Sequence, residues 1–174
     1  MWSNKKSQHR LCRLENTPLR KNKRKLIREK KCMQITSGEK YLVDTNILIY
    51  ALNKSSLFHA QSREILEKQN KGAYFVVAQQ NLVELTAVLT KQFKVPLKEA
   101  ANTAHIISQN FEVITSVHDT WEMFTRMAEK QSKRVAPFDL FLAATMLGNG
   151  VERIITANSA DFKNLGLREI VDVR

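Results

Sequence analysis

Four acidic residues of this 174-residue chain stand among apolar neighbours, an unusual setting for a carboxylate. They are Asp44 in YLVDTNILIY, Glu84 in LVELTAVL, Asp139 in PFDLFL and Asp161 in TANSADF. A buried carboxylate without a partner costs free energy, so each needs a hydrogen-bond donor, a basic residue or a cation. No basic residue lies within one helical turn of Glu84 or Asp139. These four acids are therefore the first candidates for chemistry.

Each acid also has a structural explanation that needs no ligand. Asp44 can belong to the N-terminal cap of the helix that follows it, where Thr45 or Asn46 can supply the capping side chain. Asp139 can interact with the positive end of a helix dipole, and Asp161 can cap a short turn. Glu84 has the weakest explanation of this kind, because aliphatic residues surround it in the sequence.

The fold that must position these acids is predicted by alternating strand and helix patterns. Apolar runs predict strands at 41–43, 74–78, 112–114, 153–157 and 169–173. Helical periodicity predicts helices at about 46–52, 58–69, 80–93, 96–110, 120–131 and 137–148. This alternation indicates an α/β fold, a three-layer α/β/α sandwich with a mostly parallel central sheet. Trp121, Phe124 and Met127, at helical spacing, are predicted to lie in its core.

The predicted elements bring the four acids to one edge of the sheet. Asp44 and Asp161 follow strands, and the other two begin helices, so all belong to the edge where open α/β sheets bind ligands. Converging carboxylates repel one another unless a hard divalent cation lies between them. Oxygen donors without His or Cys favour Mg²⁺ or Mn²⁺ over zinc. Such a centre performs metal-assisted phosphodiester hydrolysis. The sequence contains no GxSxG, GxxxxGK[ST] or GxGxxG motif.

The net charge of +11 is concentrated at the N-terminus. Residues 1–40 hold 13 Lys and Arg against 3 acidic residues, whereas residues 41–174 hold 15 against 14. Residues 1–32 are predicted to form a disordered basic tail, either an arm that binds RNA phosphates or upstream sequence from a start codon assigned too early. Without a secretory signal or an apolar run of about 18 residues, we expect a cytoplasmic protein with no membrane contact. Cys12 and Cys32 lack zinc-ligand spacing.

Four motifs in order resemble those of the PIN-domain ribonucleases, most closely the VapC-like toxins of bacterial type II toxin–antitoxin systems. The motifs are VDTNILIYAL, NLVEL, PFDLFLAATML and IITANSADF. The resemblance covers 41–173 and indicates a PIN-like nuclease domain at 41–174. It implies a Mg²⁺-dependent endoribonuclease that hydrolyses RNA, with Mn²⁺ as a plausible substitute. It also implies a toxin held in check by a small cognate antitoxin protein, and a homodimer.

The resemblance further implies a role for each residue of the site. Asp44 and Asp139 hold Mg²⁺ directly. Glu84 completes the ligand shell or positions the attacking water as a base. Asp161 orients a second metal ion or a metal-bound water, although Asn158 is the alternative for the metal-proximal position in this motif. The ligands are steadied from behind by four polar side chains: Thr45, Asn46, Thr156 and Asn158.

Basic residues and two rival functions complete the sequence-based hypotheses. Four cations either guide the RNA backbone or form a solvated basic face: Arg126, Lys130, Lys133 and Arg134.

One alternative function is that of a PIN nuclease that acts in RNA processing or on DNA, without a toxin role. The other is a catalytically idle RNA-binding module that uses the basic tail.

Overall fold

The computed structural model describes residues 35, 38–131 and 135–174. In these residues five strands form one parallel sheet, with α-helices on both faces. The strands are β1 (Lys40–Val43), β2 (Tyr74–Ala78), β3 (Glu112–Ile114), β4 (Arg153–Thr156) and β5 (Glu169–Asp172). The helices are α1 (Thr45–Leu52), α2 (His59–Glu67), α3 (Gln79–Lys91), α4 (Leu97–Asn110), α5 (Thr120–Glu129) and α6 (Pro137–Gly148). The predicted three-layer sandwich with a parallel central sheet is confirmed. The predicted tail at 1–32, Lys133 and Arg134 lie outside the described residues.

The central strands are buried on both faces, which explains their continuous apolar sequences. Successive side chains of a strand point to opposite faces. In β1, Tyr41 and Val43 join one core with α1 to α4, whereas Leu42 joins a second core with α5 and α6. In β4, Ile155 and Ile154 divide between the two cores in the same way. The sheet therefore holds its strand ends rigidly between two packed layers.

The strand order is β3-β2-β1-β4-β5, so the direction of the chain across the sheet reverses next to β1. The connections through α1 to α4 lead from β1 outward to β3. The connection through α5 and α6 returns to β4, on the other side of β1. Val43 pairs with Ile155, so the carboxyl ends of these two strands lie side by side. Such a reversal point leaves a crevice at the carboxyl edge of an open α/β sheet.

Helix α1 begins directly after β1, with Asp44 at the N-cap position. The Asp44 side chain makes no capping hydrogen bond, and the predicted capping by Thr45 or Asn46 is also wrong. Both residues lie inside the helix, and their side chains bond across the sheet edge instead. Asp44 is therefore the N-cap residue through its backbone, while its side chain serves other contacts.

The predicted aromatic stripe of α5 is only partly in the core. Phe124 and Met127 pack against the second core, but Trp121 is 67% exposed. Steps of three residues fall about 60° short of a full helical turn, so Trp121 lies about 120° around the axis from Met127. The Trp121 ring instead rests on Phe124, with ring centroids 5.0 Å apart. Within the described part of the chain, every helix is too short or too polar to cross a membrane.

Candidate active site

Asp44 lies at the strand-order reversal, where β1 ends beside β4. It is only 8% exposed. Its Oδ2 accepts hydrogen bonds of 2.6 Å from Asn46 Nδ2 and 2.6 Å from Thr156 Oγ1. Both side-chain donors therefore bind the same carboxylate oxygen.

The environment of Asp44 destabilises its charge. The pKa of Asp44 is raised to about 6, and burial is the largest cause. The charges of Glu84 and Asp139 act in the same direction, whereas hydrogen bonds from Thr156 and the Thr45 backbone act to lower this pKa. The hydrogen bonds to the carboxylate thus only partly compensate its loss of solvation.

The polar residues of the fourth motif tie β4 to Asp44 and its neighbour. Asn46 Nδ2 lies 3.1 Å from Thr156 Oγ1, and Asn46 Oδ1 accepts a 3.0 Å hydrogen bond from the Ala157 backbone. The Asn158 backbone N–H donates to Thr156 Oγ1 at 2.9 Å, while the Asn158 side chain is exposed. Asn46 and Thr156 therefore lie directly behind Asp44, and Asn158 reaches this network only through its backbone.

Glu84, predicted to begin a helix, is the sixth residue of α3 and is held by bonds to both carboxylate oxygens. Thr45 Oγ1 donates to Oε2 at 2.8 Å, and Gln80 Nε2 donates to Oε1 at 2.8 Å. The Thr45 hydroxyl in turn accepts a 3.0 Å bond from Asn81 Nδ2. Asn81 is fully buried, and its Oδ1 accepts a 2.9 Å bond from the Ala78 backbone at the end of β2. A continuous polar chain thus connects the ends of β1 and β2 to Glu84.

Gln80 and Asn81 were not among the site residues predicted from the sequence. Their signal was the polar run QQN between an apolar strand and the aliphatic part of α3. The first turn of a helix commonly carries polar residues that satisfy its own free N–H groups. For that reason, this run alone did not indicate a role beyond helix initiation.

Asp139 lies in the first turn of α6 and is half-buried. The pKa of Asp139 is raised to about 6 by burial, the largest cause, together with the charges of Asp161 and Glu84. Asp161 is exposed and lies in the 3₁₀ helix Ser159–Phe162 that follows β4. The structure therefore brings all four predicted acids into electrostatic contact, and the charge of Asp161 acts on Asp139.

No cation compensates this cluster within the part of the chain that the structure describes. None of the four acids forms an ion pair there. Of the predicted RNA-guiding cations, Arg126 pairs with Glu122 on the outside of α5, and Lys130 is exposed. The site is thus a negatively charged patch at the sheet edge.

The donor chemistry of this patch fits a hard divalent cation, because it consists of carboxylate oxygens that repel one another. Among the described residues, no three acidic, His or Cys side chains are close enough to enclose an ion by themselves. Mg²⁺ in proteins usually keeps several waters and binds directly to one or two carboxylates. The arrangement therefore suits a water-bridged Mg²⁺ better than a cation enclosed entirely by protein ligands.

Comparison with known proteins assigns the chain to a family. The PIN domain family matches residues 41–166. A chain of VapBC2 from Rickettsia felis, solved with a promoter DNA fragment, is similar with a TM-score of 0.61 and 20% identity, over 76% of this chain and 98% of that chain. VapBC-1 from nontypeable Haemophilus influenzae gives a TM-score of 0.60 and 18% identity, over 77% and 98% of the respective chains.

A third similar structure is VapC20 from Mycobacterium tuberculosis, described as a toxin that cleaves the sarcin–ricin loop. It gives a TM-score of 0.54 and 17% identity, over 66% of this chain and 86% of that chain. At these identities the likeness shows the fold. No curated protein sequence matches the chain. Because the family match extends over most of the sequence, the chain belongs to the PIN domain family.

Proposed function

We propose that this PIN domain is a Mg²⁺-dependent endoribonuclease and the toxin of a toxin–antitoxin pair. The observation that carries the proposal is the convergence of four carboxylates at the carboxyl edge of the sheet. The raised pKa values of Asp44 and Asp139 support it, because burial and then the charges of the neighbouring acids raise them without a cationic partner among the described residues. Perturbed carboxylates that cluster at such a crevice are typical of functional sites.

Asp44 and Asp139 are the residues that would hold Mg²⁺ directly. Asn46 and Thr156 both bind Asp44 Oδ2, which fixes the carboxylate, and neither of these side chains occupies Oδ1. Asp139 has no side-chain hydrogen bond among the described residues, so its carboxylate is likewise available. Bound Mg²⁺ would neutralise charge on a phosphoryl oxygen and lower the pKa of water. Mn²⁺, which prefers similar oxygen ligands, is expected to substitute.

Glu84 and Asp161 act on water in this proposal. Hydrolysis requires a water oxygen to attack phosphorus, a proton to leave that water, and the P–O bond to a sugar oxygen to break. Glu84 positions the water and accepts its proton, since hydrogen bonds on both sides fix the direction of its carboxylate. Asp161, exposed at the rim, orients a further water through its negative charge.

The partner assignment rests on the similar structures. VapBC2 and VapBC-1 are toxin–antitoxin complexes, and a similar Klebsiella pneumoniae structure is likewise a toxin–antitoxin complex. We propose that a small antitoxin places an Arg or Lys side chain against the carboxylates, where it would compete with Mg²⁺. A homodimer in the cytoplasm and RNA as the substrate belong to the same proposal.

Expression of the full chain in a bacterial host tests this function. The wild type is expected to arrest growth and to produce new RNA ends, whereas Asp44→Asn is not. Co-expression of a small gene that neighbours the coding sequence should relieve the arrest. Metal-dependent cleavage without growth arrest would instead favour an RNA-processing or DNA-directed nuclease. Growth arrest by wild type and Asp44→Asn alike would contradict the nuclease mechanism.

A further inference from the structure

Gln80 connects two parts of the carboxylate cluster that come from different helices. It is the second residue of α3, and its Nε2 donates to Glu84 Oε1 at 2.8 Å. The same nitrogen donates to the Phe138 backbone oxygen at 3.0 Å. Phe138 immediately precedes Asp139 in the first turn of α6. One side-chain amide thus joins the start of α3 to the start of α6.

The chemistry of its partners fixes the orientation of this amide. A carboxylate and a carbonyl both only accept hydrogen bonds, so the NH₂ group must face them. A flipped amide would place Gln80 Oε1 against two other oxygens. In the observed orientation Oε1 is buried and has no partner among the described residues. A buried unpaired acceptor is unfavourable, so the two N–H bonds are formed at the expense of this oxygen.

The bond from Gln80 completes the support of Glu84. Thr45, which follows β1, donates a hydrogen bond to Oε2. Gln80, which also donates to the backbone of α6, donates a hydrogen bond to Oε1. Glu84 and Asp139 carry like charges that raise the pKa of Asp139, and this repulsion acts to separate them. The two hydrogen bonds of Gln80 oppose that separation, because they connect the Glu84 side chain to the backbone oxygen of Phe138, the residue before Asp139.

We propose that Gln80 is a positioning residue that sets the placement of Glu84 relative to Asp139, and thereby the affinity of the site for Mg²⁺. The inference rests on the proposed function, since it takes Mg²⁺ to be the cation of this site. Glu84 would contact Mg²⁺ through the water that it positions, so it belongs to the ligand shell of the cation without touching it. Loss of a partner that orients a group of such a shell typically weakens metal affinity 10- to 100-fold. Gln80 does not itself contact the cation in this proposal; it acts through Glu84.

The first test is Mg²⁺ binding to the full chain, measured by isothermal titration calorimetry with MgCl₂. Gln80→Met keeps the side-chain length and removes both N–H donors, so we expect an affinity about tenfold lower. Gln79→Met is the matched control, because Gln79 is exposed and its side chain forms no hydrogen bond with any residue that the structure describes. The control should bind like the wild type. Equal affinities of the two variants would overturn the proposal.

The second test asks whether Gln80 acts through Glu84. In a double-mutant cycle, Gln80→Met should cause no further loss of Mg²⁺ affinity when Glu84→Gln is already present. A full tenfold loss in that background would show that Gln80 acts by another route and would overturn the proposal. Thermal unfolding of each variant identifies a folding defect, and Gln80→Ala, for which the same loss is expected, replaces Gln80→Met if that variant does not fold.

These tests separate the inference from the function on which it rests. If the wild type binds Mg²⁺ and cleaves RNA while Gln80→Met matches Gln79→Met, only the role of Gln80 is wrong. If the wild-type chain binds no Mg²⁺, the proposed function is wrong as well, and the positioning role is overturned with it.

Discussion

The Thr156 hydroxyl donates a 2.6 Å hydrogen bond to Oδ2 of Asp44, a residue 112 positions earlier in the chain. This bond joins the carboxyl ends of β1 and β4 at the strand-order reversal. It is fully buried on the Thr156 side, and it lowers the pKa of an aspartate that burial otherwise raises. The same hydroxyl accepts from the Asn158 backbone, so one threonine organises both the carboxylate and the loop after β4.

Thr156→Val should destabilise the protein, because it preserves shape but removes a bond to a buried carboxylate. We expect the free energy of unfolding to fall by about 1.5–3 kcal/mol, as for hydrogen bonds to charged groups. Thr145→Val is the matched control, since Thr145 is 4% exposed and its Oγ1 has no partner among the described residues. Chemical denaturation at pH 7 measures both. Equal losses of unfolding free energy in the two variants would contradict a stabilising contribution of the hydrogen bond to Asp44.

Stability should depend on pH in the direction opposite to that of a carboxylate in a favourable ion pair. The pKa of Asp44 is raised from 3.8 to about 6 in the folded chain. Between these values the folded state binds more protons than the unfolded state, so the free energy of unfolding falls as pH rises from about 4 to about 6. The buried Asp44 contributes about 3 kcal/mol to this change. Asp139 adds less, because solvent screens its half-buried carboxylate.

Denaturant titrations of the wild type and Asp44→Asn in EDTA, from pH 4 to pH 8, measure this dependence. Asp44→Asn should flatten the pH profile and raise the stability at pH 7, because a neutral amide replaces a destabilised charge. A wild-type stability that increases with pH over this range would contradict the assigned direction of the pKa shift.

Mg²⁺ should stabilise the folded chain and shift the carboxylates toward their ionised forms. A ligand at about 100 times its Kd stabilises by about 2.7 kcal/mol. We therefore expect MgCl₂ to raise the Tm of the wild type at pH 7, and EDTA to reverse the effect. Asp139→Asn should lose this response while remaining folded. A Tm that rises equally in both proteins would indicate binding elsewhere on the chain.

The amino edge of the sheet is expected to contribute stability and no chemistry. Arg153 is 8% exposed at the start of β4 and pairs with Glu39 at 2.7 Å and Glu169 at 3.4 Å. Arg153→Met should lower the free energy of unfolding by about 1–2 kcal/mol, because both glutamates remain partly solvated after its loss. Mg²⁺ affinity and cleavage per folded molecule should stay at wild-type values. A selective loss of Mg²⁺ affinity would show that the two edges are coupled.

The sequence predicted that the acids would meet because it placed them near element boundaries. Asp44 follows a strand and Asp139 lies in the first turn of a helix. Glu84, predicted to begin a helix, is instead the sixth residue of α3. Their charges indeed act on one another in the structure. Their roles as metal ligands remain predictions.

The supporting contacts were harder to predict, because they depend on distances between elements far apart in the chain. Thr45 and Asn46 looked like helix caps from their position alone, yet their side chains bond to Glu84, Asp44 and Thr156. Gln80 was missed for the same reason. Its significance comes from the Phe138 oxygen, 58 residues later, which the local pattern of α3 cannot reveal.

We expect the four carboxylates to act as one Mg²⁺-dependent nuclease site. Cleavage of labelled cellular RNA by the purified full-length chain tests this, with MgCl₂, with MnCl₂ and with EDTA, beside Asp44→Asn and Asp139→Asn. We expect cleavage with either metal, none in EDTA, and a loss of at least about 100-fold in both variants. Undiminished cleavage in the variants would contradict this expectation, as would RNA binding without cleavage that both variants retain.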